Sequence, residues 1–199
     1  MECRHFGVCG SCRLNSDSYE GQLEKKREEL SDLFKALYDD TFYIACSQES
    51  HYRARAEFKV WHKGDALHYA MNSLNRDGMV LIEQCPMVAP PIEKLMWPLL
   101  ETIEKSKALG EKLFGIDFLS SINGDMVVSM LYHRKLDETW QNEAELLAMQ
   151  FNISIIGRSR KQKVVIGNEY VIDSIDVQGR SYRFKQIENS FTQPNPGVN

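Results

Sequence analysis

Residues 114–133 read FGIDFLSSINGDMVVSMLYH, and this stretch decides the fold. Two mainly apolar runs flank the dipeptide Asn123-Gly124, which is typical of a two-residue β-hairpin loop because both residues tolerate positive φ angles. The sequence therefore predicts two antiparallel strands joined by a type I′ turn. The segments on either side of this hairpin then have to complete the sheet.

A second strand signal lies upstream, over residues 52–60. Apolar and charged side chains alternate there, as they do in a strand that buries only one of its faces. The residues expected to face the core are Tyr52, Ala54, Ala56, Phe58 and Val60. The residues expected on the open face are Arg53, Arg55, Glu57 and Lys59.

The remaining elements follow from apolar periodicity, turn residues and helix caps. The other predicted strands cover about residues 66–72, 79–83, 151–156, 163–166 and 169–175, and a last strand, 181–187, follows a turn at Gln178-Gly179. The predicted helices begin after the caps Asp17 and Asp137 and at Pro90-Pro91, the last of these running to about Ala108. Because tight turns join most of the strands, we predict an α+β fold with a mainly antiparallel sheet and helices packed on one side.

Composition excludes several classes of protein. The 199 residues are 43% hydrophobic and 26% charged, which is typical of a globular protein with its own core. No apolar run reaches the roughly 18 residues that a membrane-spanning helix needs, and the first residues do not resemble a signal peptide. We therefore expect a soluble, cytoplasmic protein with no membrane partner, and we expect it to be a monomer.

The charge balance limits how the chain could bind nucleic acid. There are 24 basic and 28 acidic residues, so the net charge of −4 would repel a polyanion and binding would need a local basic face. One candidate is the open face of the strand over 52–60, and another is the stretch over 158–163, which holds four positive charges. Aromatic side chains beside such charges could stack on bases, although the pattern alone favours a place in the core for them. The candidates are Phe114, Phe118 and Tyr132.

Three of the five cysteines lie within the first twelve residues, as Cys3, Cys9 and Cys12 in a C-x5-C-x2-C pattern. Cys46 and Cys85 are the candidates for a fourth ligand, and Pro86 follows Cys85 as proline follows a ligand in some ferredoxins. Four thiolates suit an iron–sulfur cluster, but structural zinc and free thiols remain open from the spacing alone. Because Cys46 stands alone beside Ala45, we interpret it as a small buried apolar residue.

Other common motifs are absent from the sequence. No strand is followed by GxGxxG, and GxxxxGK[ST] does not occur, so no nucleotide-binding loop is visible. Four histidines are scattered singly, without the spacing of a zinc enzyme: His51, His62, His68 and His133.

Several stretches together resemble the S-adenosylmethionine-dependent RNA (uracil-5-)-methyltransferases. The stretches HYRARAEFKVWH, KLFGIDFL, VVSMLYHRKLDETWQNEAE, IIGRSRKQKV and QIENSFTQPNPGVN look like the tRNA branch, which makes 5-methyluridine in the T-loop. The stretches CRHFGVCGSC and QCPMVAP look like the cluster motif of the ribosomal-RNA branch. We expect no OB-like domain of the kind common in that second branch, and this expectation favours tRNA over ribosomal RNA as the substrate.

The resemblance implies roles for individual residues. It implies that a [4Fe–4S] cluster, with zinc as the alternative, is held by Cys3, Cys9, Cys12 and Cys85. It implies RNA binding, to the T-arm of tRNA, by Arg53, Arg55, Glu57, Lys59 and Phe114. It also implies that Gln193, within FTQPN, lines the site of S-adenosylmethionine and the target base.

In that family the FTQPN stretch leads into a Rossmann-like domain with the nucleophilic cysteine and the general base. We therefore expect no catalytic residue in this chain and three segments. The first segment, 1–47, holds the cysteine motif and the first helix, and the second, 48–188, is the RNA-recognition domain. These two segments could form one unit. The third segment, 189–199, is a linker. Alternatives are a stand-alone RNA-binding module, a ribosomal-RNA methyltransferase fragment and a small iron–sulfur electron carrier.

Overall fold

The fold was analysed in a computed structural model that describes residues 2–12 and 18–198. The helices are α1 Tyr19–Phe34, α2 Pro90–Lys105, α3 Lys107–Gly110 and α4 Glu138–Phe151, with a 3-10 turn at Pro196–Val198. The strands are β1 Arg55–Lys63, β2 Ala66–Asn72, β3 Met79–Leu81, β4 Leu113–Ser120, β5 Met126–Tyr132, β6 Ser154–Ser159, β7 Gln162–Ile166, β8 Tyr170–Val177 and β9 Arg180–Ile187.

Strands β1 to β7 form one sheet in the order β3-β2-β1-β4-β5-β6-β7, and β8 pairs with β9 in a second, two-stranded sheet. Every pair of neighbours is antiparallel except β5 and β6, which run parallel. Helix α4 lies between these two strands in the chain, and a parallel pair requires such a crossover. The predicted α+β fold with a mainly antiparallel sheet is confirmed.

The core lies between one face of the large sheet and helices α2, α3 and α4. Residues 54–60 show the predicted alternation, because Ala54, Ala56, Phe58 and Val60 are buried while the residues between them are not. The hydroxyl group of Tyr69, fully buried on β2, donates a hydrogen bond to the Met96 carbonyl of α2 at 2.9 Å. The helices thus cover one face and leave β1 with a polar face on the other side.

The β8–β9 hairpin covers one end of that other face. A small apolar cluster joins Val171 of β8 to the large sheet at Leu119, Val127 and Ile156. The Asp173 carboxylate accepts a hydrogen bond from the Ile122 backbone N–H at 2.7 Å. These contacts cover the end of the sheet near the β4–β5 loop, while Glu57 and Lys59 of β1 stay exposed.

The predicted type I′ turn at Asn123-Gly124 is wrong. Gly124 has a positive φ of 94°, but Asn123 does not, and Ser121 N–H donates to the Asp125 carbonyl at 2.9 Å. The loop therefore has three residues, Ile122 to Gly124, and Asn123 is held by a hydrogen bond from its amide to the Ile172 carbonyl. Contact with β8 has overridden the local preference of the dipeptide.

Two consecutive positive φ angles occur instead at the predicted turn between β8 and β9. Gln178 has φ of 50° and Gly179 has φ of 76°, and the flanking residues Val177 and Arg180 pair with each other. This is the geometry of a two-residue type I′ hairpin loop. The prediction of a turn at this site is confirmed.

The helix ends differ in part from their predictions. Asp137 caps α4 by accepting from Trp140 N–H, as predicted. The helix predicted over 90–108 is interrupted at Ser106, whose extended backbone ends α2 and whose hydroxyl group caps α3 by accepting from Leu109 N–H. Ser18 caps α1, and the predicted cap, Asp17, lies outside the described residues. Among the described helices, none has the length and apolar character required to cross a membrane.

Candidate functional site

Four cysteines line a single cavity of about 320 Å³, and they are Cys3, Cys9, Cys12 and Cys85. The N-terminal segment reaches this place by pairing with the end of β2, where Gly10 N–H donates to the Asn72 carbonyl at 2.9 Å. A side chain at Gly10 would bring its Cβ to 2.8 Å from the Ser73 carbonyl oxygen, so this close approach requires glycine. The fold brings residues 3–12 and residue 85 together.

Cys46 does not line this cavity and is exposed. The interpretation of Cys46 as a buried apolar residue is therefore wrong. The apolar neighbours that suggested burial belong to residues 42–48, which form no regular secondary structure and lie largely at the surface.

Burial raises the pKa of two of the cavity thiols, those of Cys12 and Cys85. Burial, followed by the charges of Cys85, Cys9 and Cys3, raises the pKa of Cys12 to about 11. Burial also raises the pKa of Cys85. Thiolates are the form that binds metals, so a cationic group at this site would favour their deprotonation.

The described residues show no preformed metal site. Within the described residues, no group of three or more His, Cys, Asp or Glu side chains is arranged to hold a metal ion. A single zinc ion needs its ligands to converge at about 2.3 Å from one point. A four-iron cluster instead takes one thiolate at each of its irons, so cysteines spread around a cavity can serve it.

The cysteine cavity is joined to the start of β1 through Arg53. Arg53 lines the cavity, and its backbone N–H donates to the Met87 carbonyl at 2.9 Å. Its side-chain Nε donates to the Arg55 carbonyl at 2.9 Å. Cys12 also contacts the segment after Cys85, with its sulfur 2.8 Å from that of Met87. Arg53 therefore connects the cysteines to the strand on which the other predicted RNA-binding residues lie.

Arg55, Glu57 and Lys59 lie on the polar face of β1. Arg55 donates to the Ser190 carbonyl at 2.6 Å and forms an ion pair of 3.0 Å with Glu57. Lys59 donates to the Asn72 side chain at 2.7 Å. The face is thus a row of polar side chains whose positions are held by neighbouring groups. The hydrogen-bond partners of Lys59, Asn72 and Met79, are both uncharged, so these bonds do not neutralise its ammonium group.

A partly buried carboxyl group lies beside this row. Asp117 of β4 pairs in register with Glu57 of β1. Burial, with a smaller effect of the Glu57 charge, raises the pKa of Asp117 from 3.8 to about 7. The charge of the sheet face therefore changes near neutral pH.

The replacement Asp117→Asn should remove a pH dependence of stability. The pKa of Asp117 is higher in the folded than in the unfolded chain, so its ionisation lowers the free energy of unfolding. This loss is nearly absent below pH 4 and grows until the pH passes about 7. We expect the free energy of unfolding of Asp117→Asn to match that of the original chain to within about 1 kcal/mol at pH 4 and to exceed it by roughly 4 kcal/mol at pH 8. Urea denaturation at both pH values measures this. Asp65→Asn, in the exposed β1–β2 turn, is the control, and an equal gain there would refute the assignment.

The basic stretch over 158–163 is partly neutralised. Arg158 forms an ion pair with Glu188, which also accepts from the Ser129 hydroxyl group at 2.8 Å. Burial would raise the pKa of Glu188, but the hydrogen bonds from Arg158 and Ser129 outweigh it and lower the pKa. Lys163 pairs with Glu169 at 2.6 Å. Arg160, Lys161 and Lys163 are all exposed, and the first two lie at the β6–β7 turn.

One of the three candidate stacking residues is at the surface. Phe118 and Tyr132 are 1% and 2% exposed and belong to the core, whereas Phe114 is 37% exposed. The pairing of β4 with β5 is irregular between Leu113 and Gly115, and a bulge of this kind turns a side chain away from the face that alternation assigns to it. Strand alternation alone would place Phe114 on the same buried face as Phe118, but the bulge turns the Phe114 side chain towards the surface.

His133 stacks on Phe114, with ring centroids 3.9 Å apart and planes inclined by only 11°. A cleft of about 550 Å³ adjoins this pair, and its cationic lining residues are Arg134, Lys135, Arg158 and Arg160. The sequence offered His133 only as one of four scattered histidines and did not predict its contact with Phe114. The predicted pairing of the two hairpin strands could have indicated this contact, because it brings residues 113–114 close to residues 132–133.

Gln193 is exposed in the segment after β9. This segment, predicted to be a linker, runs back along the sheet domain, and Ala54 N–H donates to the Pro194 carbonyl at 2.8 Å. It ends in the 3-10 turn Pro196–Val198. The segment is therefore attached to the residues just before β1.

A family model described as tRNA (Uracil-5-)-methyltransferase matches residues 18–199. This chain belongs to that family. The match includes the β1 face, the Phe114–His133 pair and the segment with Gln193, but it excludes Cys3, Cys9 and Cys12.

Curated relatives support the membership in this methyltransferase family. A tRNA/tmRNA (uracil-C(5))-methyltransferase of Sulfurovum sp. is 45% identical over 200 residues, and one of Sulfurimonas denitrificans is 48% identical over 200 residues. Each alignment covers 100% of this chain and 54% of the relative. The chain thus spans about half the length of the curated relatives it matches.

The fold also matches that of a solved family member. This is the Pyrococcus abyssi tRNA (uracil-54, C5)-methyltransferase in complex with S-adenosyl-L-homocysteine. The TM-score is 0.66 at 19% identity, and the match covers 95% of this chain and 47% of that one. At this identity the likeness establishes the fold, which corresponds to the N-terminal part of that enzyme.

Proposed function

We propose that this chain is the tRNA-binding part of a tRNA (uracil-5-)-methyltransferase, whose longer form transfers a methyl group to C5 of a T-loop uridine. The observation that carries the proposal is the exposed Phe114–His133 pair beside a cleft lined by arginines. The family match and the names of the relatives support the choice of tRNA over ribosomal RNA.

The Phe114–His133 pair can act on RNA by base stacking. Sequence-specific recognition of RNA targets unpaired loop bases, which stack on aromatic side chains. A base unstacked from a T-loop can lie on the open side of Phe114, because His133 already occupies the other side at 3.9 Å. The cations around the adjoining cleft can then contact the phosphates that flank this base.

Arg53, Arg55, Glu57 and Lys59 would extend the RNA contact along β1. Lys59 and the partly exposed Arg55 present cations, and Glu57 holds the Arg55 guanidinium group by an ion pair. Arg53, which lines the cysteine cavity, would act mainly by holding the Arg55 backbone in place. The sheet face would therefore position the phosphate backbone while the Phe114–His133 pair holds a base.

We assign no catalytic residue to this chain and expect it to be inactive alone. S-adenosylmethionine would supply the methyl group in the longer protein. Gln193, exposed on a segment attached to the sheet domain, would line the site of the methyl donor and target base. The chain would thus bind and present the uridine.

Charge reversal at Arg55 tests the proposed RNA face of β1. We expect Arg55→Glu to weaken binding of a T-arm hairpin RNA by about 5- to 10-fold at low salt, because it replaces an attraction to phosphate by a repulsion. The effect should shrink as salt is added. Fluorescence anisotropy with labelled RNA measures both.

Lys94→Glu is the matched control, since Lys94 is exposed on α2, on the helical side of the sheet. Equal losses in the two variants would mean that net charge, and not the β1 face, governs binding. Tighter binding of a ribosomal-RNA hairpin than of the T-arm would instead favour the ribosomal-RNA alternative. A longer protein that binds tRNA without methylating it would favour a binding module.

We propose further that the cysteine cavity holds a [4Fe–4S] cluster. The support is that Cys3, Cys9, Cys12 and Cys85 line one cavity while Cys46 is exposed elsewhere. Four soft thiolates suit iron–sulfur chemistry. The cluster would tie the N-terminal segment to residue 85. Analysis of iron and acid-labile sulfide tests this proposal.

A further inference from the structure

Helix α1 presents an apolar face that the described residues cover only in part. None of its residues is buried, although Leu30, Leu33 and Phe34 are spaced along one side. The side chains of Leu33 and, just after the helix, Leu37 are 72% and 85% exposed. A helix of a soluble protein normally buries such a stripe, and a large exposed apolar patch marks an interaction surface.

The same surface continues beyond the helix as a group of aromatic rings. Phe42 contacts Phe34 and Tyr38, with ring centroids 5.9 Å and 4.9 Å apart. Tyr43, the next residue, is 92% exposed. We define the α1 face as Leu30, Leu33, Phe34, Leu37 and Tyr43.

The end of the chain lies beside this surface. A groove of about 710 Å³ is lined by Leu30 and Tyr43 on one side and by Asn195 and Val198 on the other. The segment that carries Val198 is attached to the residues before β1 by the Ala54–Pro194 hydrogen bond. A chain that continues past residue 199 therefore starts at the groove beside the α1 face.

The relatives that this chain matches are longer than the chain itself. This chain covers 54% of each of the first two relatives and corresponds to the N-terminal part of the solved methyltransferase. Nearly half of each relative therefore lies outside the matched stretch, and in the proposed longer protein it would follow residue 199, beside the exposed apolar surface.

We propose that the α1 face is the docking surface for the part of the methyltransferase that follows residue 199. This inference rests on the proposed function, in which the chain is one part of a longer enzyme. The occupant is an apolar surface of that second part. Docking there would hold the RNA-binding sheet in a fixed orientation to the methyl-transfer site, because α1 and the segment with Gln193 border the same groove.

The double replacement Leu33→Glu with Leu37→Glu tests this inference in both the 199-residue chain and the longer protein. In the chain, these side chains contact water, so we expect an unchanged urea midpoint. In the longer protein, we expect a lower melting temperature. Amide hydrogens of residues 19–34 should exchange at least about tenfold faster in the variant than in the parent longer protein.

The matched control is Leu146→Glu with Met149→Glu, on the exposed side of α4, where the side chains are 66% and 79% exposed. This control should leave exchange in residues 19–34 unchanged. Equal effects of both double variants, or fast exchange of α1 in the parent longer protein, would overturn the inference. So would a concentration-dependent dimer of the 199-residue chain that Leu33→Glu with Leu37→Glu abolishes, since a second copy would then be the occupant.

The failure of this inference can be told apart from failure of the proposed function. Binding of T-arm RNA by the 199-residue chain should not change in the Leu33→Glu, Leu37→Glu variant, because the Phe114–His133 pair lies outside the α1 face. A chain that never binds T-arm RNA would refute the proposed function, whatever the exchange data show. Normal RNA binding together with unprotected α1 would refute the docking surface alone.

Discussion

Replacing Cys85 with serine is expected to abolish cluster binding by this chain. Anaerobically purified protein should contain about four irons and four acid-labile sulfides per chain, and Cys85→Ser should retain almost none. Serine lacks the soft sulfur that the irons prefer, and it removes the ligand that lies far in sequence from the other three. Loss of the cluster should also free the N-terminal segment from residue 85 and lower the stability of the chain by several kcal/mol.

Cys46→Ser provides the control for this experiment. Cys46 is exposed and does not line the cavity, so its replacement should leave the iron and sulfide content unchanged. Equal losses in the two variants would contradict the assignment of ligands. One zinc ion per chain, or protein without metal that keeps its stability in Cys85→Ser, would contradict the cluster itself.

Replacing Phe114 with alanine should weaken binding of T-arm RNA by about 5- to 150-fold, the range that corresponds to the 1–3 kcal/mol of one stacked base. Phe114 is 37% exposed and rests on His133, so alanine removes the surface on which a base would lie. The salt dependence of binding should hardly change, because no charge is removed. Fluorescence anisotropy at two salt concentrations measures both quantities.

Phe114→Tyr and Leu146→Ala are the controls for that loss. Tyrosine keeps the ring and should retain most of the affinity, while Leu146 is exposed on α4, away from the proposed RNA face. Urea denaturation shows whether Phe114→Ala remains folded. A folded Phe114→Ala variant that binds T-arm RNA like the parent chain would refute the stacking role and remove the observation on which the proposed function depends.

Local signals account for the parts of the fold that the sequence predicted. The alternation over 52–60, the cap at Asp137 and the Gln178-Gly179 turn each depend on neighbours in the chain. The Asn123-Gly124 turn was predicted on the same basis and was wrong, because hydrogen bonds to β8 hold that loop in another form. Local preferences are small in free energy, and tertiary contacts can exceed them.

The positions of the candidate site residues depend more strongly than the secondary structure on contacts between residues far apart in the sequence. Spacing could not choose between Cys46 and Cys85, and only the placement of residue 85 opposite the N-terminal segment put it at the cavity. Alternation could not separate Phe114 from Phe118, since both have the same parity. The bulge between Leu113 and Gly115 separates them, and bulges depend on the partner strand.

The sequence by itself determined the class of fold, most strand positions and, through its resemblance to a methyltransferase family, the candidate residues. These properties follow from periodicity and motifs, which are local along the chain. The tertiary structure decided which cysteines share a cavity, which aromatic ring is exposed and that the apolar face of α1 is covered only in part. These depend on which distant segments meet, and burial is a property of the packed chain as a whole.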